Sequence, residues 1–301
     1  MTRRRKDELA FPWLPGWSVG DVEALELRKV GNRPGLARYV SELWRLRHFI
    51  VEEARGKSFQ SVRGTVLGRI WLLIEPFINA AMYLVMFGIL LPTGRGIDNF
   101  LGYLFVGSIM FTAIQRSFAP AGDIIRGAQG LIRSFTFPRA ALVFSFAIRN
   151  LINTLPAIVA MVLFITVAGD RVVPSIHWLA FLGVLALMFV FNLGLSFLVA
   201  ALTAHLPDLK FIWQLASTFW FMISGVFFDV SRYYSHPAIA FVMESNPAYV
   251  LLTMGRRVLL YQQFPTPFMW QYFSAWAVGL FVIGFLVFWL SEESYGALND
   301  R

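Results

Sequence analysis

One short stretch of the sequence is similar to a nucleotide-binding motif. Gly56-Lys57-Ser58 has the ending of a P-loop, the glycine-rich turn that holds nucleotide phosphates. The complete motif also needs a glycine at position 51, where this chain has Val51, and a strand before it, whereas the stretch lies in a helical pattern. We therefore expect no ATP site in this chain.

The other residue types that carry out catalysis or bind metals are scattered. The histidines form no i, i+4 pair that would hold a metal, and the carboxylates expected on the outer side form no paired motif. There is no cysteine, which excludes disulfides, thiolate metal sites and cysteine nucleophiles. We expect a chain without enzymatic activity, cofactor or metal, because the alternative class, a membrane-embedded glycosyltransferase, would need clustered outer carboxylates. The residues concerned are His48, His177, His205, His236, Asp98, Asp170, Asp229 and Glu244.

The composition indicates which solvent surrounds these side chains. Hydrophobic residues make up 57% of the 301 positions and charged residues 15%, whereas soluble domains have roughly 45–50% and 25%. The mean hydropathy is +0.61. A soluble core of this length could not bury so much apolar surface, so lipid must surround much of the chain. Collagen-like, disordered and coiled-coil classes are excluded.

Six apolar segments are long enough to cross a bilayer as helices. A hydrocarbon core of about 30 Å needs about 20 helical residues, and helices satisfy their own backbone amides in lipid. The sequence therefore predicts an all-α membrane protein. The predicted spans are 70–91, 100–118, 140–167, 178–204, 211–228 and 268–290, which together form a transmembrane domain over 70–290.

The basic residues predict the orientation of these spans. An even number of spans places both termini on one side, and 20 of the 26 lysines and arginines fall on that side, against five on the other. Both termini are thus expected in the cytoplasm, at the plasma membrane, and nucleic acid is not needed to explain the net charge of +8. Residues 1–36 form a basic cytoplasmic extension, either near anionic lipid or simply solvated, and residues 291–301 a cytoplasmic tail.

The segment before the first span has the pattern of an amphipathic helix. Between residues 37 and 60 apolar side chains recur on one arc, opposite charged ones. Such a helix, cationic and next to a span, is expected in the membrane interface, with a connector up to residue 69. The alternative is a soluble helix packed on a partner. The apolar arc contains Val40, Leu43, Trp44, Ile50, Val51 and Ala54.

Three stretches of sequence carry a resemblance to a known family. They are the run from Arg63 to Pro76, the run from Gly130 to Arg139, and Asn246-Pro247 followed by Arg256 and Arg257. In order and spacing they resemble the permease subunits of ABC-2-type exporters for polysaccharides, O-antigen and teichoic acids. The basic extension and the Arg- and Ala-rich loops are similar to actinobacterial members that export galactan precursors. Teichoic acid, O-antigen, drug or lipid exporters are the alternatives.

The resemblance implies a homodimer with a channel between its two halves. Two copies of a separate ATPase, which would bind ATP and Mg²⁺, would drive export of a lipid-linked polysaccharide. It also implies that residues 121–137 form a short cytoplasmic coupling helix on the ATPase, for which a plain surface loop is the alternative. The coupling residues would be Asp123, Arg126, Leu131, Arg133, Phe135 and Phe137.

Charged residues near the first span suit a lipid diphosphate. Arg63 and Arg69 lie where phosphates are expected, at the cytoplasmic interface. Glu75 lies inside the span, where a carboxylate should face protein or water, and we expect Arg149 of the third span to pair with it.

Two further sets of residues are expected toward the outer side and along the channel. The apolar stretches 238–243 and 249–261 are too short to span, so we expect re-entrant helices, with a folded extracellular loop as the alternative. In the family such helices form an outer gate, here with Asn246 and Pro247 as the turn and Arg256 and Arg257 after it. Aromatic rings would stack on sugar rings, or alternatively anchor helix ends at the interface. The predicted channel rings are Tyr103, Phe105, Trp213, Trp220 and Phe227.

Overall fold

The structure is a computed structural model that describes residues 35–60, 70–83, 85–86, 97, 99–167, 174–293 and 295. Within these residues the regular elements are helices and no strand occurs, which agrees with the all-α prediction. Arg63, Arg69 and nearly all of the predicted basic extension lie outside the described residues.

The described helices are named α1 to α12 in chain order, and two short 3-10 turns lie at Ala119–Asp123 and Val230–Tyr233. The helices are α1 (Leu36–Arg45), α2 (Arg47–Gln60), α3 (Ile70–Tyr83), α4 (Phe100–Phe118), α5 (Ile124–Gly127), α6 (Gln129–Ser134), α7 (Ala140–Val167), α8 (Trp178–His205), α9 (Leu209–Ile223), α10 (Pro237–Glu244), α11 (Pro247–Leu259) and α12 (Pro267–Leu290).

Three of these helices, α7, α8 and α12, are long and apolar enough to cross a membrane. They match the predicted spans 140–167, 178–204 and 268–290 closely, and α4 matches 100–118. In contrast, α9 has only 15 residues and ends at Ile223, before the predicted end at 228. The predicted span 70–91 is described as a helix only to Tyr83, so the count of six spans stays a prediction.

The early end of α9 has a local cause in the backbone. Gly225 has a φ of +64°, in the left-handed region that favours glycine. A Cβ at this position would also lie 2.7 Å from the Tyr249 ring. The chain therefore turns sharply after α9 and leads toward the two short helices α10 and α11.

The closest packing in the described part of the chain joins α8 to α12. A Cβ on Gly194 of α8 would lie 2.5 Å from the backbone nitrogen of Phe281, and a Cβ on Gly284 would lie 2.5 Å from the Gly194 carbonyl oxygen. Both contacts are with backbone, which cannot rotate away. Small residues at such positions let membrane helices approach closely and gain van der Waals contact.

The segment predicted as one amphipathic helix forms two helices, α1 and α2, interrupted at Leu46, and apolar and charged side chains are clearly separated only along α1. Tyr39 and Leu43 of α1 are buried in the same cluster as Ala140 at the start of α7. Trp44, placed on the same apolar arc by its spacing, is 70% exposed. The rest of the chain thus covers only part of the apolar arc of α1. Trp44 lies on the uncovered part, where it can contact lipid or another molecule.

The contact between α8 and α12 predicts that alanine substitutions at two glycines of α12 have different effects on stability. Gly284→Ala should lower the free energy of unfolding by about 1–3 kcal/mol, because the added methyl forces the two backbones apart. Gly279→Ala on the same helix is the matched control, since a Cβ there meets nothing within 4 Å. Thermal unfolding in detergent would compare them, and equal midpoints for the two variants would contradict the close contact.

Candidate functional site

An ion pair lies between two helices inside the predicted membrane region. The guanidinium nitrogen Nη2 of Arg116 on α4 is 3.1 Å from Oε2 of Glu75 on α3. The two side chains are 28% and 35% exposed, respectively. Charged groups inside a membrane normally face protein or water rather than lipid. The exposed side of this pair is therefore a candidate surface for a water-filled pathway or for another chain.

The predicted pairing of Glu75 with Arg149 is wrong. On α7 the Arg149 guanidinium lies over the Phe146 ring, 5.0 Å from its centroid. Arg149 also lines a cavity of about 230 Å³ together with Glu53 and Lys57 of α2. The physical reason is the arrangement of the helices, because this side of α7 meets α2, whereas Glu75 on α3 meets α4.

Polar side chains surround the Glu75–Arg116 pair. A cavity of about 20 Å³ beside it is large enough for one water molecule. On the far side, Asn150 Nδ2 of α7 donates to the Arg116 carbonyl oxygen at 2.8 Å. The spans are thus linked by polar contacts at the level of the ion pair. The cavity lining also includes Asn79, Ser108, Thr112 and Thr154.

The segment between α4 and α7, residues 119–139, carries the predicted coupling residues. Instead of one short helix it forms a 3-10 turn followed by α5 and α6, which are separated at Ala128. Phe135, directly after α6, is 64% exposed. Arg126 is also exposed, and Leu131 is partly buried. The segment therefore offers an exposed aromatic ring and a cation to a second protein.

The remaining predicted residues of this segment have partners within the chain. Asp123 forms an exposed ion pair with Lys210 Nζ at 2.8 Å, which links the segment to α9. Phe137 is partly buried and its ring meets that of Phe49 of α2 edge-on, 6.5 Å between centroids. The side chain of Arg133 lies outside the described part of the structure.

Asn246 and Pro247 form a tight turn between the short helices α10 and α11, as predicted. Asn246 Oδ1 accepts hydrogen bonds from the Ala248 backbone N–H at 3.0 Å and from Trp220 Nε1 at 2.8 Å. Its Nδ2 donates to Ser224 Oγ at 2.9 Å. The turn is thus fixed to α9 through Trp220 and Ser224. The location of this turn relative to a membrane stays a prediction.

Arg256, predicted to act in an outer gate, is a fully buried connecting residue in this structure. Its guanidinium donates to the carbonyl oxygens of Tyr103, Gly225 and Val226 at 3.3, 3.0 and 3.2 Å. It also stacks on the Tyr103 ring, 3.4 Å from the centroid. The guanidinium therefore joins α11 to α4 and to the turn after α9. The neighbouring Arg257 is only partly buried, and its Nη2 donates to Gln263 Oε1 at 3.1 Å.

The five predicted channel rings lie mostly in the packed interior of the chain. Tyr103, Phe105 and Phe227 are buried in the main hydrophobic cluster. Trp213 and Trp220 are partly buried, and the indole N–H of Trp213 donates to Thr203 Oγ1 at 3.0 Å. Contact of these rings with sugar stays a prediction.

Sequence reasoning did not single out the aromatic rings that α9 exposes. Phe211 and Phe219 are exposed, and Leu215 between them is exposed as well. These three recur at a spacing of four, which is the spacing of one helix face. The prediction followed the seven-residue spacing of Trp213, Trp220 and Phe227. Trp213 and Trp220 lie on the side of α9 that packs inward, and Phe227 lies beyond the end of this helix.

Comparisons with known proteins agree with the predicted resemblance. A family model described as "ABC-2 type transporter" matches residues 55–260. The chain is also 24% identical, over 230 residues, to the O-antigen export system permease protein RfbA of Myxococcus xanthus. That alignment covers 76% of this chain and 87% of the Myxococcus protein. The family match includes Glu75, Arg116, the segment 119–139 and the turn at Asn246.

The contacts of Arg256 predict that substitution of this arginine lowers stability much more than substitution of the adjacent Arg257. Arg256→Met should lower the free energy of unfolding by at least about 2 kcal/mol, because three buried carbonyl oxygens lose a charged donor. Arg257→Met is the matched control and should have a much smaller effect, since its described hydrogen bond lies at the surface. Thermal unfolding of both variants in detergent would test this, and a tolerated Arg256→Met would contradict the connecting role.

Proposed function

Because the chain belongs to the ABC-2 type transporter family, we propose that it is the permease subunit of a polysaccharide exporter in the plasma membrane. Its cargo would be a lipid-linked glycan of the O-antigen or galactan class, and both termini would lie in the cytoplasm. The similarity to a protein named as an O-antigen export permease supports this class of cargo. A separate ATPase would bind ATP and Mg²⁺, since Gly56-Lys57-Ser58 lacks the first P-loop glycine.

The observation that carries this proposal is the ion pair of Glu75 and Arg116, in which both side chains are partly exposed. Hydrocarbon would strongly disfavour these charges, so their exposed side needs water or protein against it. A homodimer with a hydrated pathway between its two copies meets this requirement. The polar groups around the pair, such as Asn79 and Thr112, suit the same surface because they can bond to water or to glycan hydroxyls.

The exposed face of α9 supports the same arrangement. The helix is shorter than a bilayer is thick, and its exposed residues Phe211, Leu215 and Phe219 are apolar. In a homodimer this face would pack against the second copy or line the pathway. Of the five predicted channel rings, Trp213 and Trp220 are the better candidates for glycan contact, because the other three are buried within the chain.

The segment 119–139 would be the contact with the ATPase. Phe135 and Arg126 are exposed there, which fits insertion of a ring into a groove of a partner with a cation beside it. Lys210 and Asp123 would hold the segment against α9 during this contact. On the outer side, the turn at Asn246 would serve as the gate. At the cytoplasmic interface, Arg63 and Arg69 would bind the diphosphate of the lipid carrier.

The exposed ring of Phe135 leads to a test of the ATPase partner. Phe135→Asp should reduce copurification of the ATPase at least about tenfold, since burying an unpaired carboxylate at an interface costs more than 1.4 kcal/mol. Phe241→Asp is the control, because this ring is equally exposed but lies on α10, away from the segment. Purification of the tagged permease from its native host would measure the ATPase bound.

Two outcomes of that experiment would contradict the proposal. If wild-type permease copurified with no P-loop ATPase, a transporter driven by a separate subunit would be excluded. If Phe135→Asp and Phe241→Asp bound the ATPase equally well, the ATPase would bind elsewhere on the chain.

The ion pair predicts the effect of charge changes on export. Glu75→Gln should reduce surface glycan at least about tenfold and cause lipid-linked glycan to accumulate inside the cell, because Arg116 keeps an unbalanced charge within the membrane. Exchange of the two charges, Glu75→Arg with Arg116→Glu, should restore part of the export.

The control for this prediction is Glu52→Gln. Glu52 forms an ion pair of the same 3.1 Å length with Arg55, but both side chains are mostly exposed to solvent. Exposed ion pairs contribute little to stability, so export by Glu52→Gln should stay normal. Normal export by Glu75→Gln in the native host would mean that the pathway does not pass this pair.

A further inference from the structure

Three segments that are far apart in sequence meet at Glu292, just after α12. The Tyr39 hydroxyl of α1 donates to Glu292 Oε2 at 2.7 Å. The backbone N–H of Arg139, at the end of the segment 119–139, donates to Glu292 Oε1 at 2.9 Å. The Tyr39 oxygen in turn accepts from the Ala140 N–H at 3.0 Å, and the Arg139 guanidinium donates to the Glu292 carbonyl oxygen.

This cluster is buried, and both oxygens of its carboxylate accept a hydrogen bond. Glu292 is only 7% exposed and Tyr39 is fully buried, yet each carboxylate oxygen has a donor. Burial raises the pKa of Glu292, while the Arg139 N–H, the Tyr39 hydroxyl and the Arg139 guanidinium act in the opposite direction. Burial also raises the pKa of Tyr39, so its hydroxyl keeps the proton that it donates.

The position of the cluster gives it a role beyond stability. Arg139 is where the proposed ATPase-contacting segment passes into α7, Tyr39 belongs to the amphipathic α1, and Glu292 lies two residues after the end of α12. Displacement of the segment would pass through Arg139 and the Glu292 carboxylate to α1 and to the end of α12. The bond of the Arg139 guanidinium to the Glu292 carbonyl oxygen adds a second polar link to the end of α12.

We propose that Glu292 is a positioning residue that joins the segment 119–139, α1 and the end of α12 into one rigid unit. The unit moves as a whole when the segment is displaced. Its function in export rests on the proposed function above, whereas its rigidity is a property of this chain alone and is testable without the ATPase.

The chain offers a matched control for the tyrosine that forms the cluster. Tyr295 is a second buried tyrosine near Glu292, and its hydroxyl donates to the Phe288 carbonyl oxygen at 3.2 Å. This bond joins the last turn of α12 to the residues shortly after it and links no segments that are far apart in sequence. Tyr39→Phe and Tyr295→Phe each remove one buried hydroxyl, but only the first removes a bond between segments.

The test measures distances between spin labels. Because the chain has no cysteine, Ser41→Cys on α1 and Thr136→Cys on the segment, both exposed, provide one labelled pair per subunit, and dilution with unlabelled chain isolates the distance within a subunit. Double electron–electron resonance in lipid nanodiscs would give the distance distribution, first for the permease alone. We expect a narrow distribution for the otherwise wild-type chain and for Tyr295→Phe, and a broad one for Tyr39→Phe. Glu292→Gln serves as a second variant, because the two donors reach different carboxylate oxygens and the amide NH2 that replaces one of them cannot accept a hydrogen bond.

A second arm adds the copurified ATPase with and without a non-hydrolysable ATP analogue. The wild-type distance should stay constant, whereas in Tyr39→Phe it should change with nucleotide, and glycan exported per ATP should fall about tenfold, the factor for losing about 1.4 kcal/mol.

Distinct results separate failure of this inference from failure of the proposed function. Equal distribution widths for wild type, Tyr39→Phe and Glu292→Gln would overturn the inference, as would equal broadening by Tyr295→Phe. Absence of a copurifying ATPase would overturn the proposed function, and the first arm would still decide whether the three segments form one unit.

Discussion

The hydrocarbon core of a bilayer offers no hydrogen-bond partners, and this constraint governs the polar contacts of the chain. Each polar side chain in a span has to find its partner within the protein or in a hydrated space. Asn150 bonds to the Arg116 carbonyl and Ser196 to the Ser117 carbonyl, so the constraint also links helices to each other. The ion pair of Glu75 and Arg116 follows the same rule on one side, while its other side is partly exposed.

The region around α10 and α11 satisfies this constraint with one arginine. The turn after α9 leaves the carbonyl oxygens of Gly225 and Val226 without helical partners, and the Arg256 guanidinium supplies donors to both. The Tyr103 hydroxyl lies 3.0 Å from the Gly225 carbonyl oxygen and 2.9 Å from the Phe228 carbonyl oxygen, and it shares its one proton between them. A guanidinium suits this position because its donors point in fixed directions and it stacks on an aromatic ring. The short helix α11 is therefore held to α4 by a specific bond as well as by apolar packing.

At the other end of the long helices, Glu292 has a comparable role with the opposite charge. A buried carboxylate there accepts from α1 and from the start of α7, which brings three parts of the chain to one point. Arg256 and Glu292 each connect elements that are more than 100 residues apart in sequence. Between these two polar clusters, the glycine contact of α8 and α12 provides close apolar packing. Motion during transport is thus expected to concentrate at elements outside these connections, such as α3, whereas the segment 119–139 would move together with α1 and the end of α12.

The sequence by itself determined the helical class, the bounds of α4, α7, α8 and α12, the turn at Asn246 and the family, because these depend on apolar length, local turn chemistry and short motifs. Only the tertiary structure decided that Glu75 pairs with Arg116 rather than Arg149, that Arg256 is buried, and that Glu292 joins three segments. The physical reason is that these partners depend on which helices are neighbours. Moreover, the acceptors of Arg256 are backbone carbonyls, which every residue has and which therefore leave no signal in a sequence.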